Sequence, residues 1–220
     1  MSQRGDGARF RRKHGILGSQ PVFTMLPGSR RSEVSRLIDD FSETATLILR
    51  YRPDTVVVVP TLPHLRKYID DFFVGRGINP IVIEQEEEKF DCFSASTAAV
   101  AASGTVSLEL ALTDTPHIIA YKLNFISAWL AKILIKTPYA NLINIVLNRE
   151  VVPELLQEDC EPRLMADALI KLLGQKEARA EQMREFREAL IQLGLGDPES
   201  PSQKAAQAVL SIIDKKGGRV

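Results

Sequence analysis

Short apolar runs alternate along the chain with stretches in which apolar residues recur every three or four positions. Residues 22–26, Val-Phe-Thr-Met-Leu, form the first run and stop at Pro27-Gly28. Val34, Leu37, Ile38, Phe41, Ala45 and Ile48 then fall on one face of a helix. Residues 55–59 are a threonine followed by four valines. A continuous β-branched run predicts a strand covered on both faces, and hence a parallel sheet. Residues 80–83, 97–102 and 116–121 read as further strands. Helices are predicted around 64–73, 88–95, 106–112, 125–135, 162–173, 176–193 and 203–214. Strands followed by helices, with no hairpin signal, predict an α/β fold: a doubly wound, mostly parallel sheet with helices on both faces and extra C-terminal helices.

Ahead of the first strand, residues 1–20 read as a polar lead-in or linker. Arg9, Arg11, Arg12 and Lys13 cluster there among glycines. A solvated tail is one reading, and a basic patch facing acidic lipid or phosphate is the other. Residues 21–200 form the α/β domain in this division, and 201–220 a C-terminal helix and tail. The mostly acidic stretch from Glu84 to Lys89 is expected to be solvated.

Composition narrows the function classes. Apolar residues make up 45% and charged residues 25%, which excludes a disordered or fibrous chain. Lys plus Arg and Asp plus Glu both number 28, so no net charge draws the chain onto nucleic acid. No apolar run approaches the roughly 20 residues of a membrane span. Cys92 and Cys160 lie far apart without Cys or His at metal spacing, so neither a disulfide framework nor a structural metal site is expected, and a reducing cytoplasm fits. The basic N-terminus lacks an apolar core of the kind a secretory signal carries.

Two loops carry candidate chemistry, since ligands of such sheets bind beyond the carboxyl ends of the strands. The first is Leu26-Pro27-Gly28-Ser29-Arg30-Arg31-Ser32-Glu33. Gly28 permits close backbone approach, the helix start offers amide donors, and Arg30 can fork onto a phosphate. Glu33 could cap the helix or fix the arginine. The loop is neither a Walker loop nor a GxGxxG fingerprint, and a well-capped surface turn remains open. The second is Ala102-Ser103-Gly104-Thr105-Val106-Ser107-Leu108-Glu109. Glu109, placed in about the first turn of its helix, could favour the dipole or accept hydrogen bonds from a ribose diol. Two such loops in one sheet point to a nucleotide diphosphate.

In combination these residues resemble the lipid-A-disaccharide synthase family. The likeness rests on Pro27-Gly28-Ser29-Arg30 with Glu33, Ala102-Ser103-Gly104-Thr105 with Leu108-Glu109, and Tyr121-Lys122. It continues through Trp129-Leu130-Ala131-Lys132, Lys136-Thr137-Pro138-Tyr139, Pro153-Glu154-Leu155-Leu156-Gln157 and Cys160-Glu161-Pro162. The resemblance runs from about Phe10 to the C-terminus and implies one Rossmann-like half of a GT-B glycosyltransferase, the nucleotide-sugar-binding half. The family's N-terminal half, with its acceptor site and catalytic acidic residue, has no counterpart in this reading.

What the resemblance implies is specific. The donor is UDP-2,3-diacylglucosamine and the acceptor 2,3-diacylglucosamine 1-phosphate, joined with inversion and release of UDP in lipid A biosynthesis. No metal or organic cofactor is expected. Gly28, Ser29, Arg30, Glu33, Ser103, Gly104 and Thr105 are assigned to the UDP-sugar, with Arg30 stabilising the leaving group. Glu109 is assigned to the ribose, and Asn144 and Gln157 to the donor site or domain cleft. The family usually has proline before the matching asparagine, where this chain has Ile143. Expected partners are the missing half or a second copy, and a cytoplasmic, Gram-negative setting with peripheral attachment at the inner membrane. Two alternatives stand beside this: a non-catalytic UDP-sugar-binding or assembly module, and another GT-B enzyme acting on UDP-GlcNAc.

Other residues read more plainly. His117 falls in a strand and reads as a packed histidine rather than a base. His64 follows Pro63 and is expected to cap a turn. Asp91, Asp114 and Asp159 show no carboxylate-pair spacing. Residues 125–136 are apolar almost all round, which fits a buried helix or an interfacial one with snorkelling lysines.

Overall fold

The computed structural model describes residues 5–102, 105–122 and 138–197. Strands β1 (Val22–Leu26), β2 (Val56–Pro60), β3 (Ile81–Ile83), β4 (Ala98–Ala101), β5 (His117–Tyr121) and β6 (Glu154–Leu156) form one sheet ordered β3-β2-β1-β4-β5-β6. Every pairing is parallel. Helices α1 (Gly7–Lys13), α2 (Arg31–Tyr51), α3 (Pro63–Phe73), α4 (Glu86–Ala95) and α5 (Thr105–Leu112) are followed by α6 (Leu142–Leu147), α7 (Pro162–Gly174) and α8 (Lys176–Gln192). The doubly wound α/β fold expected from the pattern is the one found. The helices expected over 125–135 and 203–214 lie outside the described residues.

Both faces of the sheet are buried, which explains why its strands read as unbroken apolar runs. Phe23, Met25, Val57, Val59, Val100 and Ile118 pack against α2, α3 and α7 through Leu37, Phe41, Leu65, Ile69, Met165 and Leu169. Their strand neighbours Leu26, Ala99, Ala101 and Ile119 face α4, α5, α6 and α8 through Phe93, Leu110, Ile143 and Phe186. Cys92 and Cys160 are buried and unpaired, so both act as small apolar residues.

The lead-in is not a solvated tail. Asp6 caps α1, its carboxylate accepting from the Arg9 amide at 2.9 Å. Phe10 is 1% exposed and sits with Ile16, Val22, Val58, Ile83 and Cys92 in a third core. The glycines that read as linker serve close packing instead: a Cβ on Gly7 would lie 2.5 Å from the Ser94 carbonyl oxygen of α4. The basic residues are largely spent internally. Arg9 Nε donates to Asp91 at 2.6 Å, Lys13 to Glu88 at 2.8 Å, and Arg11 to the carbonyls of Leu17, Gln20 and Ala95. Glu88, expected to be solvated, is thereby a half-buried anchor. Burial would raise its carboxyl, but hydrogen bonds from Lys13 and His14 hold it below the ordinary range.

Two elements escape the periodicity. β6 is three residues long at the sheet edge, and α6 is six residues long, so neither completes a readable pattern. α6 depends on its cap: Asn141 Oδ1 accepts from the Ile143 amide at 2.8 Å. His64 stands exposed in the first turn of α3, whose cap position is Leu62, so it caps nothing there.

Candidate functional site

The strand order reverses between β1 and β4, and the crevice beyond that point is where open α/β sheets bind ligands. A cavity of about 400 Å³ opens there. Leu26, Pro60, Ile83, Ala102 and Tyr121 bring the carboxyl ends of β1 to β5 to its floor. One wall is Gly28, Ser29, Arg30 and Glu33; another is Glu84, Gln85, Glu86 and Lys89; a third is Thr105, Val106 and Glu109.

The first wall is built around Glu33. Its Oε2 accepts from the amides of Ser29 at 3.1 Å and Arg30 at 3.2 Å, and its Oε1 from Arg30 Nη1 at 3.0 Å. Glu33 thus both closes the loop and orients the arginine. Gly28 makes this possible: its φ is +128°, and a Cβ there would lie 2.7 Å from Glu33 Cβ and 2.9 Å from Oε2. The expected donor set is smaller than the loop suggests, because Glu33 already fills the Ser29 and Arg30 amides. The amides of Arg31 and Ser32 open α2, where helix geometry supplies no acceptor. Beside them the Arg30 side chain, 77% exposed, retains donors for an anion.

The third wall differs from expectation. α5 begins at Thr105, so Glu109 lies in its second turn, beyond the reach of the terminal dipole. Its carboxylate meets Lys89 of α4 instead, Nζ standing 3.1 Å from Oε2. Lys89 also meets Glu86 Oε1 at 2.5 Å. Burial pulls the Lys89 ammonium down, but its hydrogen bonds to the carboxylates of Glu86 and Glu109 outweigh it and raise it above the ordinary lysine value. Sequence reasoning missed Lys89, because its partner lies on another helix and no local spacing marks the pair. It also missed Thr61, whose buried hydroxyl has no hydrogen-bond partner among the described residues.

Ser103 and Gly104 lie outside the described residues. Asn144 and Gln157 are not among the residues lining the cavity. Asn144 is fully buried. Its Nδ2 donates to Val152 O and Glu154 Oε1, and its Oδ1 accepts from the amides of Val151 and Val152. All its capacity is used in tying α6 to the edge strand, so it positions backbone rather than facing a ligand. Gln157 is half-buried just past β6 with φ +56°, opening a single 3₁₀ turn.

His117 is a packed histidine. Nδ1 lies 2.9 Å from the Thr115 carbonyl, which can only accept, so Nδ1 carries the proton. Nε2 then accepts from Ser107, whose oxygen in turn accepts from Asn141 Nδ2. Burial pushes its pKa down to about 4, and both ring nitrogens are occupied.

The cleft therefore offers an arginine at a helix start, a carboxylate with an attendant lysine, and an apolar floor. That set suits an anionic ligand with a neighbouring diol. The sequence profile described as lipid-A-disaccharide synthetase matches residues 1–209. The chain belongs to this family. Lipid-A-disaccharide synthase from Rhodospirillum centenum is 46% identical over 212 residues, covering 96% of this chain and 53% of its own. The enzyme of that name from Paramagnetospirillum magneticum is 42% identical over 214 residues, covering 96% and 54%. The chain spans about half the length of these curated relatives.

Solved glycosyltransferases of the GT-B type, and a UDP-GlcNAc 2-epimerase, share the fold of this chain. The C-terminal domain of the group 1 glycosyltransferase LpcC from Francisella tularensis superposes with a TM-score of 0.55 at 17% identity, covering 87% of this chain and 92% of its own. WaaG, a glycosyltransferase of lipopolysaccharide biosynthesis, gives 0.54 at 16%, covering 82% and 45%. The UDP-GlcNAc 2-epimerase of Neisseria meningitidis, solved with UDP-GlcNAc, gives 0.54 at 14%, covering 84% and 48%. Among the described residues, no helix is long and apolar enough to cross a membrane.

Proposed function

We propose that this chain is the donor-binding half of a lipid-A-disaccharide synthase. In this reading the cleft takes UDP-2,3-diacylglucosamine, and the whole enzyme passes its sugar to 2,3-diacylglucosamine 1-phosphate with inversion, releasing UDP. One observation carries it: the Gly28–Glu33 loop and Glu109 meet in a single cavity at the switch point of the sheet. Arg30 and the opening amides of α2 take the diphosphate, whose charge grows as it leaves. Thr105 lines the same wall, and Glu109 accepts from the ribose diol. Both substrates are acylated, so the enzyme works at a membrane surface, peripherally at the cytoplasmic side of the inner membrane, joined to its other half or to a second copy.

Arg30→Ala is expected to weaken UDP binding by about 1.5–3 kcal/mol, the range for a hydrogen bond to a charged group. The melting temperature should barely move, because an exposed Arg30–Glu33 pair contributes about 0–1 kcal/mol at most. Calorimetric titration of both proteins checks this, and equal affinities would remove Arg30 from the site.

Glu109→Gln separates the ribose role from a purely structural one. It should weaken UDP more than 2′,3′-dideoxy-UDP, since only the former presents a diol. A variant that loses the same affinity for both ligands places Glu109 away from the ribose. The alternative is a module that binds the nucleotide sugar without turnover. Assaying sugar transfer with the family's N-terminal half supplied separates the two.

A further inference from the structure

We infer that Lys89 is a positioning residue for the nucleotide: it holds the Glu109 carboxylate at the ribose diol and offsets part of the Glu86–Glu109 charge beside the diphosphate. The inference rests on the donor-site reading above and deepens it. Lys89 projects from α4 into the gap between two carboxylates, Glu86 on its own helix and Glu109 on α5. Its side chain is 19% exposed, and Nζ stands 5.0 Å from the centre of the Phe90 ring. Among the described residues, the hydrogen bonds to the Glu109 carboxylate come from Lys89. Without that donor nothing shown fixes which way Glu109 points.

Electrostatics calls for the same residue. A bare glutamate lining a cavity of this size repels an anion, and the repulsion grows as water is displaced from between them. Lys89 Nζ stands 3.3 Å from Glu109 Oε1 and 3.1 Å from Oε2, and each oxygen keeps a further lone pair able to accept from a hydroxyl. The helix carrying Lys89 is itself held in place. α1 clamps it through Arg9 to Asp91 and through Lys13 and His14 to Glu88. The ammonium is therefore presented by a fixed element, as a positioning group requires.

The test compares UDP with 2′,3′-dideoxy-UDP on the 220-residue chain, its Lys89→Met and Lys89→Arg variants, and a Lys89→Met/Glu109→Gln double variant. The unaltered chain should prefer UDP by roughly tenfold or more, the range for charged hydrogen bonds to a diol. Lys89→Met should collapse that preference to within about threefold, Lys89→Arg should keep most of it, and Glu109→Gln should add little on top of Lys89→Met. Thermal melting confirms that each variant is folded; if Lys89→Met is not, Lys89→Gln takes its place, alone and combined with Glu109→Gln, with the same outcomes expected. A Lys89→Met chain that binds both ligands more weakly but keeps the unaltered preference overturns the inference and leaves the donor-site reading intact. An unaltered chain that does not bind UDP overturns the donor-site reading and this inference with it; one that binds both ligands equally overturns the ribose role of Glu109 and this inference, and leaves the donor-site reading intact.

Discussion

Phe10→Ala is expected to cost about 3–5 kcal/mol of unfolding free energy, the range for emptying a core phenylalanine site. The residue is 1% exposed, and its ring fills the space between α1, α4 and the β1–β2 face. α1 is only seven residues long, too short to persist in water alone, so its helicity depends on this contact. Losing it should free the Asp91 and Glu88 clamps together, and with them the position of α4 and Lys89. Urea titration gives the stability and UDP titration the functional cost. Leu17→Ala, at a site 66% exposed, serves as the control and should change stability by no more than about 0.5 kcal/mol. If Phe10→Ala behaves like the control, α1 is not part of the core.

Sugar transfer by the chain alone is expected to remain at background even with donor bound. General-base help is typically worth about 10²–10⁴ in rate, and positioning of the acceptor contributes at least as much. The titratable groups of the cleft are poorly suited to supply the base. Of the carboxylates lining the cleft, Glu33, Glu86 and Glu109 are each held by a cation and Glu84 is exposed to water, while His117 lies outside the cleft, buried with both nitrogens engaged. Adding the N-terminal half of a relative such as the Rhodospirillum centenum synthase, as a separate chain or fused ahead of this one, should restore disaccharide formation if the two faces match. Disaccharide made by the 220-residue chain alone would contradict this.

The central fold was legible because burial on both faces forces contiguous β-branched runs, as in residues 55–59. β6 was not, since three residues at an edge carry no period; its Glu154 is fixed by Asn144 and the amides of Ala140 and Asn141. The Gly28–Glu33 wall was readable because its parts lie within six positions and obey cap spacing. Lys89 was not, because the Lys89–Glu109 pair exists only once α4 and α5 flank the same crevice. The lead-in misled for a related reason. Its charges and glycines look solvated in isolation, but they are complementary to α4, more than 70 residues away. Asn144 shows the limit of a family likeness: the residue type matches, while its four hydrogen bonds are spent on the backbone of Val151 and Val152 and on the Glu154 carboxylate.

Titration of the unaltered chain with UDP tests the central claim most directly. The donor-site account predicts saturable binding of one UDP per chain, weaker binding of UMP because the Arg30 end of the cleft then lacks its second phosphate, and a further loss for UDP on Arg30→Ala. No heat of binding at millimolar UDP, or UMP bound as tightly as UDP, would contradict it.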